Sequence, residues 1–218
     1  MTMRKITILL AVMLSFTAFS QEQKHSHFYY QRTDFFDKFP ITSKDIVFLG
    51  NSITNGCEWA ELFGKKNIKN RGISGDISQG VYERLDNIVN GNPKKIFLLI
   101  GVNDIARKIP TATTSQNIEK IVMKIQQVSP KTKIYLQSVL PVNADFKMFE
   151  NHQQPEKIHE LNAEIQRICQ KYKVTYVDLY SHFILPNTDK LNPEYTNDGL
   201  HLMAEGYLLW KKIIMPYL

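Results

Sequence analysis

The 218-residue chain is short of cysteine, of long apolar runs and of compositional bias. Two cysteines, Cys57 and Cys169, are too few for a disulfide-rich scaffold, and a chain of this length does not need one. Whether the two are bridged or free stays open at this level. Beyond residue 20 no apolar run approaches the ~20 residues of a spanning helix, so no membrane span is expected in the mature chain. Ten glycines and nine prolines, without a repeat, exclude collagen-like and low-complexity architectures. The chain has no His-Glu-x-x-His pattern, and its one His-x-His, His25 and His27, lies in the N-terminal arm, so no metal centre is expected. Charge of one sign is not concentrated either. Lys and Arg number 27 against 21 Asp and Glu, a formal net charge of +6. The densest basic stretch, Lys65 to Arg71, has no aromatic residue at a stacking position, which argues against nucleic-acid binding.

What remains is an ordinary globular composition, 43% hydrophobic and 11% aromatic, enough to bury one large core. The N-terminus reads as a secretory signal peptide over residues 1–20. Arg4 and Lys5 form its basic start, Ile6 to Leu14 its apolar run, and Ala18 and Ser20 the small residues ahead of a cut after Ser20. An uncleaved N-terminal anchor is the alternative. The expectation is export to the periplasm or the extracellular space, with residues 21–218 forming a single domain.

Apolar patterning predicts alternating strands and helices. Asp45 to Leu49 and Ile96 to Ile100 are nearly continuous apolar runs ending at Gly50 and Gly101, as expected of strands covered on both faces. A short strand near Ile68 and two more over Lys133 to Leu140 and Val174 to Leu179 bring the count to five. Helices are predicted over Cys57 to Phe63, Ser78 to Val89, Ser115 to Val128, Gln154 to Tyr172 and Ala204 to Tyr217, each with apolar residues at three- and four-residue spacing. Gln21 to Lys44 shows no long period and reads as a segment wrapping the surface. Strands alternating with helices favour a three-layer α/β/α sandwich on a five-stranded parallel sheet, with 2-1-3-4-5 the usual order.

Ligands of such sheets bind beyond the carboxyl ends of the strands. Four polar segments fall there: Gly50-Asn51-Ser52-Ile53, Gly72-Ile73-Ser74-Gly75-Asp76, Gly101-Val102-Asn103-Asp104 and Asp198-Gly199-Leu200-His201. Ser52, at a strand tip, is a candidate nucleophile or equally the N-cap of the next helix. His201 is a candidate general base with Asp198, three residues earlier, to orient its imidazole; Asp198 could instead cap a helix. Asn103 Nδ2, with the backbone N–H groups of Ser52 and Gly75, could stabilise an oxyanion. Otherwise Asn103 caps a loop and Gly75 serves a turn that needs positive φ. His152, His159 and His182 read as surface or packing residues.

Together and in this order the four segments resemble the blocks of the SGNH hydrolase, or GDSL-type esterase/lipase, superfamily, over about Asp45 to Leu218. The resemblance implies a flavodoxin-like SGNH hydrolase fold and ester hydrolysis without metal or organic cofactor. It implies Ser52 as nucleophile, Asp198 and His201 as the rest of the triad, and Ser52, Gly75 and Asn103 as the oxyanion hole. One position departs: Asn51 stands where the family usually has Asp. Trp59 to Phe63 and Leu140 to Asn143 further resemble secreted acetylesterases acting on carbohydrates. The expected substrate is accordingly a small-molecule or glycan ester with a short, acetyl-like acyl group. Lysophospholipase, thioesterase or broad short-chain esterase activity is the first alternative, and a non-catalytic glycan-binding module the second. Asp145 to Gln153, a polar loop beyond the fourth strand, is expected to line the site.

Overall fold

The computed structural model describes residues 24–218, so the expected signal peptide lies outside the described residues. Five strands, β1 (Ile46–Gly50), β2 (Ile68–Gly72), β3 (Lys95–Leu99), β4 (Lys133–Gln137) and β5 (Thr175–Val177), pair in parallel in the order β2-β1-β3-β4-β5. This is the expected order. All residues of β1 and β3 are buried, which explains why their sequences run apolar without alternation.

Around the sheet lie α1 (His27–Lys38), α2 (Ser52–Asn55), α3 (Trp59–Phe63), α4 (Ser78–Glu83), α5 (Asp86–Val89), α6 (Val102–Ala106), α7 (Thr111–Val128), α8 (Pro155–Tyr172), α9 (Tyr180–Phe183) and α10 (Ala204–Ile214). α7 packs between α4 and α8, while α10 packs on α3, giving the α/β/α sandwich. On α8, Ile158, Leu161, Ile165 and Ile168 form the predicted stripe and are all buried. On the α3 and α10 side a ladder of rings crosses the sheet. Phe48 of β1 stacks on Phe97 of β3 at 5.0 Å, and Phe97 on Tyr135 of β4 at 4.5 Å. Trp59 covers Phe48 at 3.9 Å and meets Trp210 edge-on at 4.9 Å. Each such pair contributes about 0.5–1.5 kcal/mol beyond its buried area.

Three expectations change. The segment read as a wrap contains α1: the Ser26 hydroxyl caps it by accepting Tyr29 N–H, and Tyr29 and Phe36, two turns apart, are its only buried side chains. Two anchors in twelve residues are too few to show a period. The helix predicted over Ser78 to Val89 is broken into α4 and α5. Val81, Leu85 and Ile88 are buried as expected, but the backbone leaves helical geometry at Arg84 (φ −99°, ψ 12°). There the guanidinium turns inward and donates to Asp76 Oδ2 (2.8 Å), Arg71 O (2.9 Å) and Gly50 O (3.0 Å). Finally, Gly101-Val102-Asn103-Asp104 opens a short helix, α6, rather than a loop. Cys57 and Cys169 are free and buried, and burial pushes both thiols up to about 12.

Candidate active site

The turn after β1 settles what Ser52 does locally. The cap of α2 is Asn51, whose Oδ1 accepts Ile53 N–H at 3.0 Å. Ser52 is therefore the first helical residue, with its hydroxyl uncommitted to capping and an N–H that the helix itself cannot satisfy. An amide supplies the one acceptor this turn uses, so Asn51 keeps the geometry while its Nδ2 stays buried without a partner. Asn55, at the end of α2, donates to Gly72 O (3.2 Å), and the Tyr207 hydroxyl of α10 donates to Ile53 O (2.8 Å). Both contacts fix the serine-bearing turn to its neighbours.

His201 Nε2 lies 2.9 Å from Ser52 Oγ, and His201 Nδ1 lies 2.7 Å from Asp198 Oδ2. Asp198 is not the cap of α10, which begins at Ala204. Its Oδ1 instead accepts Leu200 N–H and His201 N–H, both at 2.8 Å. One oxygen thus shapes the turn and the other orients the ring. Burial would raise the Asp198 carboxyl, but the hydrogen bonds from His201 and the two backbone N–H groups outweigh it and hold it below the ordinary carboxylate range. Gly199 has φ +85°, and a Cβ there would come within 2.1 Å of Asn143 O, so the turn presses directly on the loop after β4.

Gly75 does have the positive φ that the turn reading required, +77°, and its N–H donates to no carbonyl among the described residues. Its own carbonyl accepts from Arg107 Nη2 at 2.6 Å. Asn103 is not a cap; the α6 cap position is Gly101, and Asn103 Nδ2 donates to Asp76 O at 2.9 Å with one hydrogen left over. Asp104, next to it, is buried and accepts from Ser78 N–H (3.1 Å) and the Ser78 hydroxyl (2.5 Å), bracing the start of α4. Burial pushes both the Asp76 and the Asp104 carboxyls up, while Arg84 draws the first back and Ser78 the second.

One histidine departs from the sequence reading. His152 is not a surface or packing residue: its Nε2 lies 3.1 Å from Asn103 Oδ1. Phe149, from the same loop, stands edge-on to His201 (centroids 5.2 Å apart) and to His152 (5.6 Å). No short motif marks either residue; the only cue was the place of their loop beyond a strand end. His159 behaves as expected, exposed and bonded to Asp189 at 2.9 Å, and His182 is exposed on α9. His25 stacks on Tyr29 and bonds Glu83 at 2.6 Å. Among the described residues no group of three or more His, Cys, Asp or Glu side chains is arranged to hold a metal ion, and no helix is long and apolar enough to cross a membrane.

A cleft of about 680 Å³ opens beside Asn103, lined by Arg107, Lys147, Phe149, Glu150, Asn151 and His152. A second groove, of about 330 Å³, is lined by Cys57, Glu58, Leu62, Tyr207 and Leu208. A hydroxyl, an imidazole and a carboxylate in line, beside spare N–H donors and an open cleft, can carry out acyl transfer.

The family model described as GDSL-like Lipase/Acylhydrolase matches residues 48–209. Platelet-activating factor acetylhydrolase IB subunit alpha1 of Rattus norvegicus is 26% identical over 186 residues, covering 78% of this chain and 75% of that protein. A solved structure from Streptococcus pneumonia, named for platelet activating factor, superposes with a TM-score of 0.80 at 31% identity, covering 87% of this chain and 92% of that one. A GDSL-like lipase from Bacteroides thetaiotaomicron gives 0.74 at 28% identity, covering 86% and 96%.

Proposed function

The chain belongs to the GDSL-like Lipase/Acylhydrolase family, and from that premise we propose that it is an exported serine esterase that removes acetyl or similarly short acyl groups from hydrophilic alcohols such as carbohydrates. Hydrolase activity follows from the family. The observation that carries the serine-esterase reading is the relay from Ser52 Oγ to His201 Nε2 (2.9 Å) and from His201 Nδ1 to Asp198 Oδ2 (2.7 Å).

In this mechanism Ser52 Oγ attacks the ester carbonyl and His201 Nε2 takes its proton, Asp198 keeping the imidazole in the tautomer that can accept it. Ser52 N–H, Gly75 N–H and the free hydrogen of Asn103 Nδ2 hold the oxyanion. His201 protonates the departing alcohol, and water then releases the acid from the acyl-enzyme. The acetyl assignment is supported by relatives that are themselves named acetylhydrolases. For the alcohol, the argument is the character of the cleft beside Asn103: Arg107, Lys147, Glu150 and Asn151 suit a hydroxyl-rich leaving group better than a hydrocarbon chain. The groove with Leu62, Tyr207 and Leu208, together with the relatives' names, favours an acetylated lipid as the second reading.

A series of p-nitrophenyl esters followed by O-acetylated sugars and a 2-acetyl phospholipid separates these readings. The expected order is fastest turnover at acetyl, with the sugars preferred over the phospholipid; a preference for long acyl chains removes the acetyl assignment. A serine-directed phosphonate should label Ser52, and Ser52→Ala should fold normally, resist labelling and lose turnover by roughly 10⁴-fold or more. Near-normal hydrolysis by folded S52A overturns the nucleophile assignment.

A further inference from the structure

Asn103 can serve an oxyanion only if its amide is held the right way round. One Nδ2 hydrogen is fixed on Asp76 O, and the direction of the second depends on what grips the other end of the amide. That grip comes from His152. Asn103 Oδ1 can only accept, so the imidazole nitrogen 3.1 Å away must be Nε2–H. His152 Nδ1 is buried without a hydrogen-bond partner. A bare lone pair is the less costly group to leave there, because an N–H or a charge would be stranded. Burial draws the ring below its ordinary pKa; the Phe149 backbone works against this, and the His201 and Arg107 charges add to it. Lys147 and Glu150 of its own loop line the same cleft.

The loop is built to deliver this contact. Lys147 (φ +55°) and Phe149 (φ +53°) adopt the left-handed conformation that residues with a Cβ rarely take. Both ends are fastened to the site. Asn143 N–H donates to Gly199 O (2.8 Å) beside Asp198, and Gln154 Nε2 donates to Ile105 O (3.2 Å) on α6. Phe149 then packs edge-on against both His201 and His152.

We propose that His152 is a positioning residue for the oxyanion hole: its Nε2–H holds Asn103 Oδ1 so that the spare Nδ2 hydrogen faces the charge developing on the ester oxygen. This rests on the esterase reading above. Because the oxyanion exists only in the transition state, the contact acts on kcat and leaves KM for a small ester unchanged.

The test uses p-nitrophenyl acetate and four variants of the full chain. H152F keeps a ring against Phe149 but has no N–H, and H152Q restores a donor of similar reach. Expected are a kcat loss of roughly 10-fold in H152F at constant KM, with most of it regained in H152Q. Asn103→Ala should lose roughly 10²–10³-fold, and N103A/H152F no more than N103A alone, since the two side chains act through one hydrogen bond. Wild-type kcat in H152F, equal losses in H152F and H152Q, or losses that multiply in the double variant would each overturn the assignment. A readout independent of turnover is the imidazole ¹⁵N pattern of substrate-free wild-type protein. It should show His152 protonated at Nε2 and bare at Nδ1 near pH 7.5; the opposite tautomer overturns the positioning role whether or not the protein is an esterase. Failure of Ser52 to take up phosphonate removes the esterase reading alone and leaves the tautomer measurement standing.

Discussion

The turns that carry Ser52 and His201 are shaped by partners two or three residues away: Asn51 Oδ1 on Ile53 N–H, and Asp198 Oδ1 on Leu200 and His201 N–H. Gly75 and Asn103 are held differently. Their partners lie 27 to 49 residues distant, with Arg107 on Gly75 O and with Asp76 O and His152 on Asn103. The relay half is a pair of turns shaped from within and then tied to their neighbours, whereas the oxyanion half exists only once β2, α4, α6 and the loop after β4 have assembled. Damage to the first half should cost rate alone. Damage to the second should cost stability as well.

The largest separation is expected from Asp198→Asn. The amide keeps an acceptor for the two backbone N–H groups but no longer enforces the imidazole tautomer, so kcat should fall roughly 10⁴-fold. The melting temperature should barely move; a large drop there would mean that the relay turns are not shaped from within. Next comes Arg84→Met, which strips the cation from the buried Asp76 carboxylate (both side chains 1% exposed) and frees the Gly50 and Arg71 carbonyls. Removing one partner of a buried pair costs about 3–5 kcal/mol, measurable by urea unfolding, and kcat should fall with it because Asp76 O holds Asn103. Unchanged stability in R84M would break the comparison. The smallest effect is expected at Glu83, on α4, which bonds Lys24, His25 and Gln79. Burial acts to raise its carboxyl, but these hydrogen bonds prevail and bring it from 4.5 down to about 2. A carboxyl depressed in the folded state stabilises fully above its ordinary value, and that contribution is lost as pH falls toward 2. The stability difference between wild type and Glu83→Gln should therefore shrink between pH 5 and pH 2 in acid unfolding; a constant difference removes the ion-pair account of the arm.

The same division explains what the sequence let one read. Ser52, Asp198 and His201 could be nominated because each sits in a short polar block beyond a strand end and the blocks follow a family's order. The strand order was expected only as the usual one for five strands alternating with helices, since β2 and β5 are neither wholly apolar nor wholly buried. Gly75 and Asn103 could be nominated from block order, but not what steadies them. His152 lies 49 residues from Asn103 in a polar stretch without period or motif, so nothing local distinguishes it from His159. The break between α4 and α5 was hidden for a related reason. Val81, Leu85 and Ile88 keep a helical period across it, and only the distant carbonyls bound by Arg84 reveal the interruption. Asn51 is the converse case: a substitution that looks disabling by its lost charge, yet supplies the acceptor its turn uses.

The ladder of rings has a practical consequence. The chain has two tryptophans, Trp59 and Trp210, both fully buried and 4.9 Å apart on the α3 and α10 side. Emission excited selectively at tryptophan therefore reports that side of the molecule alone. It will redden when the sandwich opens and stay dark to events in the His152 loop, giving each variant an internal fluorescent control for whether lost turnover means lost structure.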